Sequence, residues 1–196
     1  RRSVDSADAH ALVANTRATK VAVLVDEPAA RAAALASRLG AGVIQLHGSE
    51  PPSTLAELRR VSTWRLWKSV RARSASDVEE AAERYRGLAH ALLVEGWKEG
   101  VVGGGGARLV AKPRDVRAAI GHELDFVLAG GLTPETVREA IERFLPDVVD
   151  VSSGVEGLPL RKDPNLLRAF VEGAHAASRS KRAASEAGGR RRRAGP

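Results

Sequence analysis

The chain contains no cysteine and no methionine. The first absence excludes disulfides and thiolate metal sites. The second means that the sequence does not open on an ordinary initiator, so a fragment or processed product is expected. Aromatics make up only 4%, which leaves a core of small and branched aliphatic side chains. No apolar run approaches the roughly 20 residues that span a bilayer, and no signal-peptide pattern stands at the front, so a cytoplasmic protein with no membrane partner is expected. Five histidines (His10, His47, His90, His122 and His175) are scattered without metal-ligand spacing, and no metal site is expected.

What is present suits one domain. Of the 196 residues, 43% are hydrophobic, enough to fill a core. The net charge of +7 invites a nucleic-acid reading, but its location argues otherwise. From Ser178 to Pro196 stand Arg179, Lys181, Arg182 and Arg190 to Arg193 against Glu186 alone, a net of +6 that leaves the rest at +1. Residues 177–196 are therefore expected to form a basic, disordered tail, and no specific nucleic-acid partner is expected.

The remaining chain alternates short apolar runs with amphipathic stretches. Strands are expected at Val21 to Val25, Val43 to Leu46, Leu66 to Val70, Ala91 to Glu95, Phe126 to Ala129 and Val148 to Val151. Each is a continuous apolar run, the mark of a parallel sheet covered on both faces. Helices are expected from Ser6 to Thr16, Pro28 to Leu39, Pro51 to Arg60, Ala75 to Tyr85, Pro113 to Ile120, from a Thr133 cap to Pro146, and from Asn165 to Ala176. Two folds are open at this point. One is a doubly wound open sheet; the other is an eight-stranded β/α barrel with two strands missing from the front.

In both folds chemistry gathers at the carboxyl ends of the strands. Those ends hold Asp26; Gln45 and His47; Lys68; Glu95; Gly130 and Gly131; and Asp150, Ser152, Ser153 and Gly154. Small residues after the last two strands leave backbone N–H groups unobstructed, as a phosphate requires. Glu95 closes an apolar strand, where partial burial would raise its pKa and suit it to general acid catalysis. Lys68 reads as a side chain that snorkels to water. The run Gly103 to Gly106 reads as either a mobile lid or only a flexible loop; no Lys-Ser/Thr follows it, so it is no Walker phosphate loop.

The set Val43-Ile44-Gln45-Leu46-His47-Gly48, Leu92-Leu93-Val94-Glu95 with its glycine run, Leu128-Ala129-Gly130-Gly131-Leu132, and Asp150-Val151-Ser152-Ser153-Gly154-Val155-Glu156 resembles phosphoribosylanthranilate isomerase in order and spacing. The likeness runs from Arg1 to about Ala174. It implies a (β/α)8 TIM barrel with about six of its eight units present, an incomplete barrel over residues 1–176 whose first two strands precede Arg1. It implies an Amadori rearrangement in tryptophan biosynthesis on a small phosphorylated substrate, without a cofactor, by a monomer or homodimer. By the same resemblance Glu95 is the general acid, where the family usually has aspartate. Arg2 meets the anthranilate carboxylate, Gln45 and His47 line the pocket, and Asp150 lies under its floor. Gly130, Gly131, Ser152, Ser153 and Gly154 hold the ribose phosphate. The family's base is a cysteine on the first strand, so these 196 residues alone are expected to be inactive. The alternative is a non-catalytic phosphate-binding or interaction protein derived from a truncated barrel.

Overall fold

The computed structural model of the chain describes residues 9, 11, 13–61, 63–96 and 111–193. Its centre is one six-stranded parallel sheet. The strands are β1 (Val21–Leu24), β2 (Val43–Leu46), β3 (Arg65–Ala72), β4 (Ala91–Gly96), β5 (Asp125–Leu128) and β6 (Val148–Val149). They lie side by side in chain order, each parallel to the next. A doubly wound sheet reverses its order at a switch point. This sheet has no reversal, and that decides for the barrel type.

The crossovers are α1 (Ala29–Leu39), α2 (Pro52–Val61), α3 (Ala75–Tyr85), α4 (Pro113–Ile120) and α5 (Val137–Phe144). Local chemistry sets several of their limits. At α3 the Ser74 side chain accepts from the Asp77 N–H while the Asp77 carboxylate reaches back to the Ser74 N–H, a reciprocal cap that satisfies two otherwise orphaned donors. At the end of α1, Gly40 takes the left-handed conformation, which a residue without Cβ adopts freely.

Period-two alternation divides the strand residues between two apolar layers. Ala22, Ile44, Leu46, Leu66, Leu92, Val94, Phe126 and Leu128 join the helices in the main core, whereas Ala91, Leu93, Val127 and Ala129, with Trp67 against them, make a second cluster on the inner face. Both faces of β4 and β5 are thereby buried, which is why their runs are apolar throughout. Val21 and Val23 on the β1 edge are 39% and 55% exposed.

Three expectations are corrected. The helix expected from a Thr133 cap begins at Val137: the Thr133 N–H is taken by the Thr136 hydroxyl, and Thr133 to Thr136 forms a turn first. The last strand stops at Val149, since the chain bends at once into the single turn of 3-10 helix Ser153–Val155 and the hairpin β7 (Glu156–Leu158) and β8 (Arg161–Lys162). The last helix, α6, does not end near Ala176 but runs from Pro164 to Arg193. Residues 177–193 are thus helical instead of disordered; once packing nucleates a helix, an Ala- and Arg-rich stretch extends it at little cost. The helix expected over Ser6 to Thr16 is described only in part, with Ala9, Ala11 and Val13 helical. Gly103 to Gly106 lie outside the described residues. No helix among the described residues is long and apolar enough to cross a membrane.

Candidate active site at the carboxyl ends of the strands

Residues two apart on a strand share a face. Gln45 and His47, Trp67 and Arg71, and Leu93 and Glu95 therefore fall on the inner side with the small apolar cluster. The β3 and β4 register sets Arg71 directly beside Glu95. Side chains complete what the register begins. Arg71 Nε donates to Glu95 Oε1 at 3.1 Å, His47 Nε2 stands 3.5 Å from the same oxygen, and Gln45 Nε2 lies 2.9 Å from His47 Nδ1. Gln45, His47 and Glu95, read separately from the sequence, are one hydrogen-bonded chain.

This grouping decides the charge of Glu95. Burial pushes its carboxyl up, but hydrogen bonds and positive charge from His47 and Arg71 outweigh burial and leave it below its ordinary value. The expected rise is therefore corrected, because sequence reasoning counted the apolar strand and missed Arg71. Across the mouth, burial raises the Asp150 carboxyl and Glu95 raises it further, against the lowering by His47 and Lys162. Asp150 is nonetheless exposed by surface area.

The last two strand ends are built from backbone. Gly130 and Gly131 have φ of 90° and 65°, a pair of conformations that side chains resist. Gly154 lies so close to the preceding loop that a Cβ on it would stand 1.8 Å from the Leu132 carbonyl oxygen. The two turns thus interlock, and a residue larger than glycine at 154 would part them. Ser152 is held in addition by Lys162 Nζ, which donates to its carbonyl and to Glu156 Oε1.

Lys68 does not belong with these groups. It falls on the other parity, facing the helices, and is 3% exposed, so it does not snorkel. Arg2 lies outside the described residues. Among the described residues no three His, Cys, Asp or Glu side chains are grouped to hold a metal ion.

The sequence matches a known family over most of the chain. The family model described as N-(5'-phosphoribosyl)anthranilate (PRA) isomerase matches residues 1–173. The chain belongs to the phosphoribosylanthranilate isomerase family. A curated isomerase of this name from Rubrobacter xylanophilus is 40% identical over 159 residues, 79% of this chain and 72% of that protein. Among solved structures, phosphoribosylanthranilate isomerase from Thermotoga maritima superposes with a TM-score of 0.75 at 29% identity, covering 89% of this chain and 82% of the other. A further phosphoribosylanthranilate isomerase, solved in complex with reduced 1-(o-carboxyphenylamino)-1-deoxyribulose 5-phosphate, superposes with a TM-score of 0.70 at 28% identity over 89% of this chain and 81% of that one. Family membership accounts for the barrel-type sheet.

Proposed function

We propose that the protein catalyses the Amadori rearrangement of N-(5-phosphoribosyl)anthranilate to 1-(2-carboxyphenylamino)-1-deoxyribulose 5-phosphate, a step of tryptophan biosynthesis, in the cytoplasm and without a metal or organic cofactor. One observation carries the reading: a carboxyl held by an imidazole and a guanidinium stands on the same rim as a cup of interlocked glycine and serine turns. The substrate's two ends ask for those two things.

The phosphate dianion fits the turns at Gly130, Gly131, Ser152, Ser153 and Gly154, where N–H groups are unobstructed by side chains. Anchored there, the ribose reaches across the rim toward Glu95. Glu95 delivers a proton to the furanose ring oxygen as the bond from that oxygen to C1′ breaks, and the anilino nitrogen lone pair forms the iminium. Loss of the C2′ proton to a base then gives the enolamine, which tautomerises to the ketone. The resemblance assigns the carboxylate contact to Arg2.

Glu95 is held below its ordinary pKa in the free protein, and the substrate itself reverses this. It brings a phosphate dianion and a carboxylate into the mouth, and nearby negative charge favours the protonated carboxyl. His47 and Gln45 keep the carboxyl aimed while its charge changes. Asp150, on the phosphate side, lines the floor.

The test is turnover by the full gene product. Purified protein is mixed with freshly formed phosphoribosylanthranilate, and the loss of its fluorescence is followed beside growth of an isomerase-deficient strain carrying the gene. Turnover with growth is expected. Phosphate binding with neither would leave the non-catalytic alternative standing in its place.

A further inference from the structure

Behind the sheet, under the turn that carries His47, lies a charged network with no part in the steps above. Lys68 and Glu50 are each 3% exposed, and Lys68 Nζ stands 3.1 Å from Glu50 Oε2. Desolvation pushes the Lys68 ammonium below its ordinary pKa, against the opposing pull of Glu50. Taking two such charges out of water costs several kcal/mol per ion, and an apolar pair of the same volume often holds a fold as well or better. Stability alone therefore does not account for this pair.

Its remaining hydrogen bonds do. Lys68 Nζ donates to the carbonyls of Leu46 at 3.3 Å, Gly48 at 2.8 Å and Ser69 at 3.0 Å. Glu50 Oε1 accepts from the N–H groups of Asp26 at 2.9 Å and Gly48 at 3.0 Å. Asp26 Oδ1 accepts from the Ser49 N–H at 2.6 Å, and the Tyr85 hydroxyl donates to the Glu50 carbonyl at 2.8 Å. The His47 N–H itself donates to the Leu24 carbonyl at 2.8 Å. Apart from the Lys68 bond to Ser69 in its own strand, these bonds land on the backbone at or beside His47, or on the Asp26 turn that braces it. Gly48 packs so tightly there that a Cβ would lie 2.3 Å from Asp26 Oδ1.

We propose that Lys68 and Glu50 are positioning residues for the reaction. They lock the turn from Leu46 to Glu50 so that the His47 imidazole is held against the Glu95 carboxyl, and neither touches the substrate. The inference rests on the reading of Glu95 and His47 as the acid-side pair.

A double-mutant cycle in the full gene product tests it. Glu50→Gln and Lys68→Met are made singly and in a His47→Asn background, with steady-state kinetics and ¹⁵N–¹H spectra of the histidine rings at fixed pH. Each single substitution is expected to lower kcat by about tenfold to a hundredfold, the scale of a small misplacement, with KM changed less than about twofold. In the His47→Asn background the further loss should shrink to about twofold or less, because both changes then act on a contact already gone. The His47 ring signals should shift or broaden in Glu50→Gln. Full additivity with His47→Asn, or unchanged His47 ring signals, would overturn the proposal. Should Lys68→Met fail to fold, Glu50→Gln keeps the shape of the site, and its cooperative melt serves as the control. The ring spectra need no turnover. A wild-type protein that fails to turn over substrate therefore counts against the functional reading, while the spectra still decide the positioning.

Discussion

The rim has two ends that are built by different means. At β5 and β6 the site is backbone: Gly130, Gly131 and the turn from Ser152 to Gly154 offer N–H groups, and their shape comes from positive φ angles and a close approach that excludes Cβ atoms. At β2, β3 and β4 the site is side chains: Glu95 takes its charge and aim from His47 and Arg71, and His47 in turn sits on a turn stapled by Lys68 and Glu50. A backbone cup is the same whatever the pH, which suits an anchor. A network of ionisable groups responds to nearby charge, which suits proton transfer.

The largest expected effect comes from the side-chain end. Glu95→Gln keeps the shape and the hydrogen-bond acceptor toward Arg71 but removes the proton. If this end does the chemistry, kcat should fall by about 10²- to 10⁴-fold, with KM little changed, since the phosphate cup is intact. Measured kinetics in which KM rises and kcat holds would assign Glu95 to binding and erase the contrast between the two ends.

The next effect belongs to the backbone end and has the opposite signature. Gly154→Ala forces a Cβ to within 1.8 Å of the Leu132 carbonyl unless the loops part. Overpacking of this kind costs about 1–3 kcal/mol. Spent on the cup, it should raise KM on the order of tenfold to a hundredfold while kcat at saturation changes only about threefold. An equal fall in kcat would mean that the cup also shapes the reacting centre. Inorganic phosphate as a competitive inhibitor gives the same comparison: its inhibition should weaken in Gly154→Ala and stay unchanged in Glu95→Gln.

The two ends also differed in how far the sequence revealed them. Gly130-Gly131 and Ser152-Ser153-Gly154 carry their geometry in their residue types, because small residues after a buried strand leave few backbone options, and their strand-end positions follow from the apolar runs. The side-chain end is a product of register. Arg71 reaches Glu95 because β3 runs to Ala72 and pairs those two residues, whereas the apolar run stops at Val70. Without Arg71, burial alone suggested a raised pKa for Glu95, and the sign came out reversed. Lys68 was misassigned for a related reason: its place near a strand end is visible in the sequence, but its partner Glu50 sits on a loop with no periodicity to announce it. The long α6 was missed because arginine and alanine describe an exposed helix as readily as an unstructured tail.

The smallest expected effect uses acid to separate the two ends. Glu95 in the folded protein titrates below its ordinary value of 4.5, because hydrogen bonds and charge from His47 and Arg71 exceed the opposing effect of burial. A carboxyl whose folded pKa is depressed contributes stability that is fully present above its unfolded pKa and is lost as pH falls through the folded one. Glu95→Gln should therefore be less stable than wild type at neutral pH by an amount that is constant down to about pH 5 and shrinks below pH 4.5. Gly154→Ala should differ from wild type by the same amount at every pH, since its cost is steric. Urea midpoints measured for the three proteins across this range check the claim. A Glu95→Gln difference that stays flat into acid would mean that the carboxyl gains nothing from His47 and Arg71 in the folded state, and the acid-side network would then be a set of neighbours without electrostatic coupling.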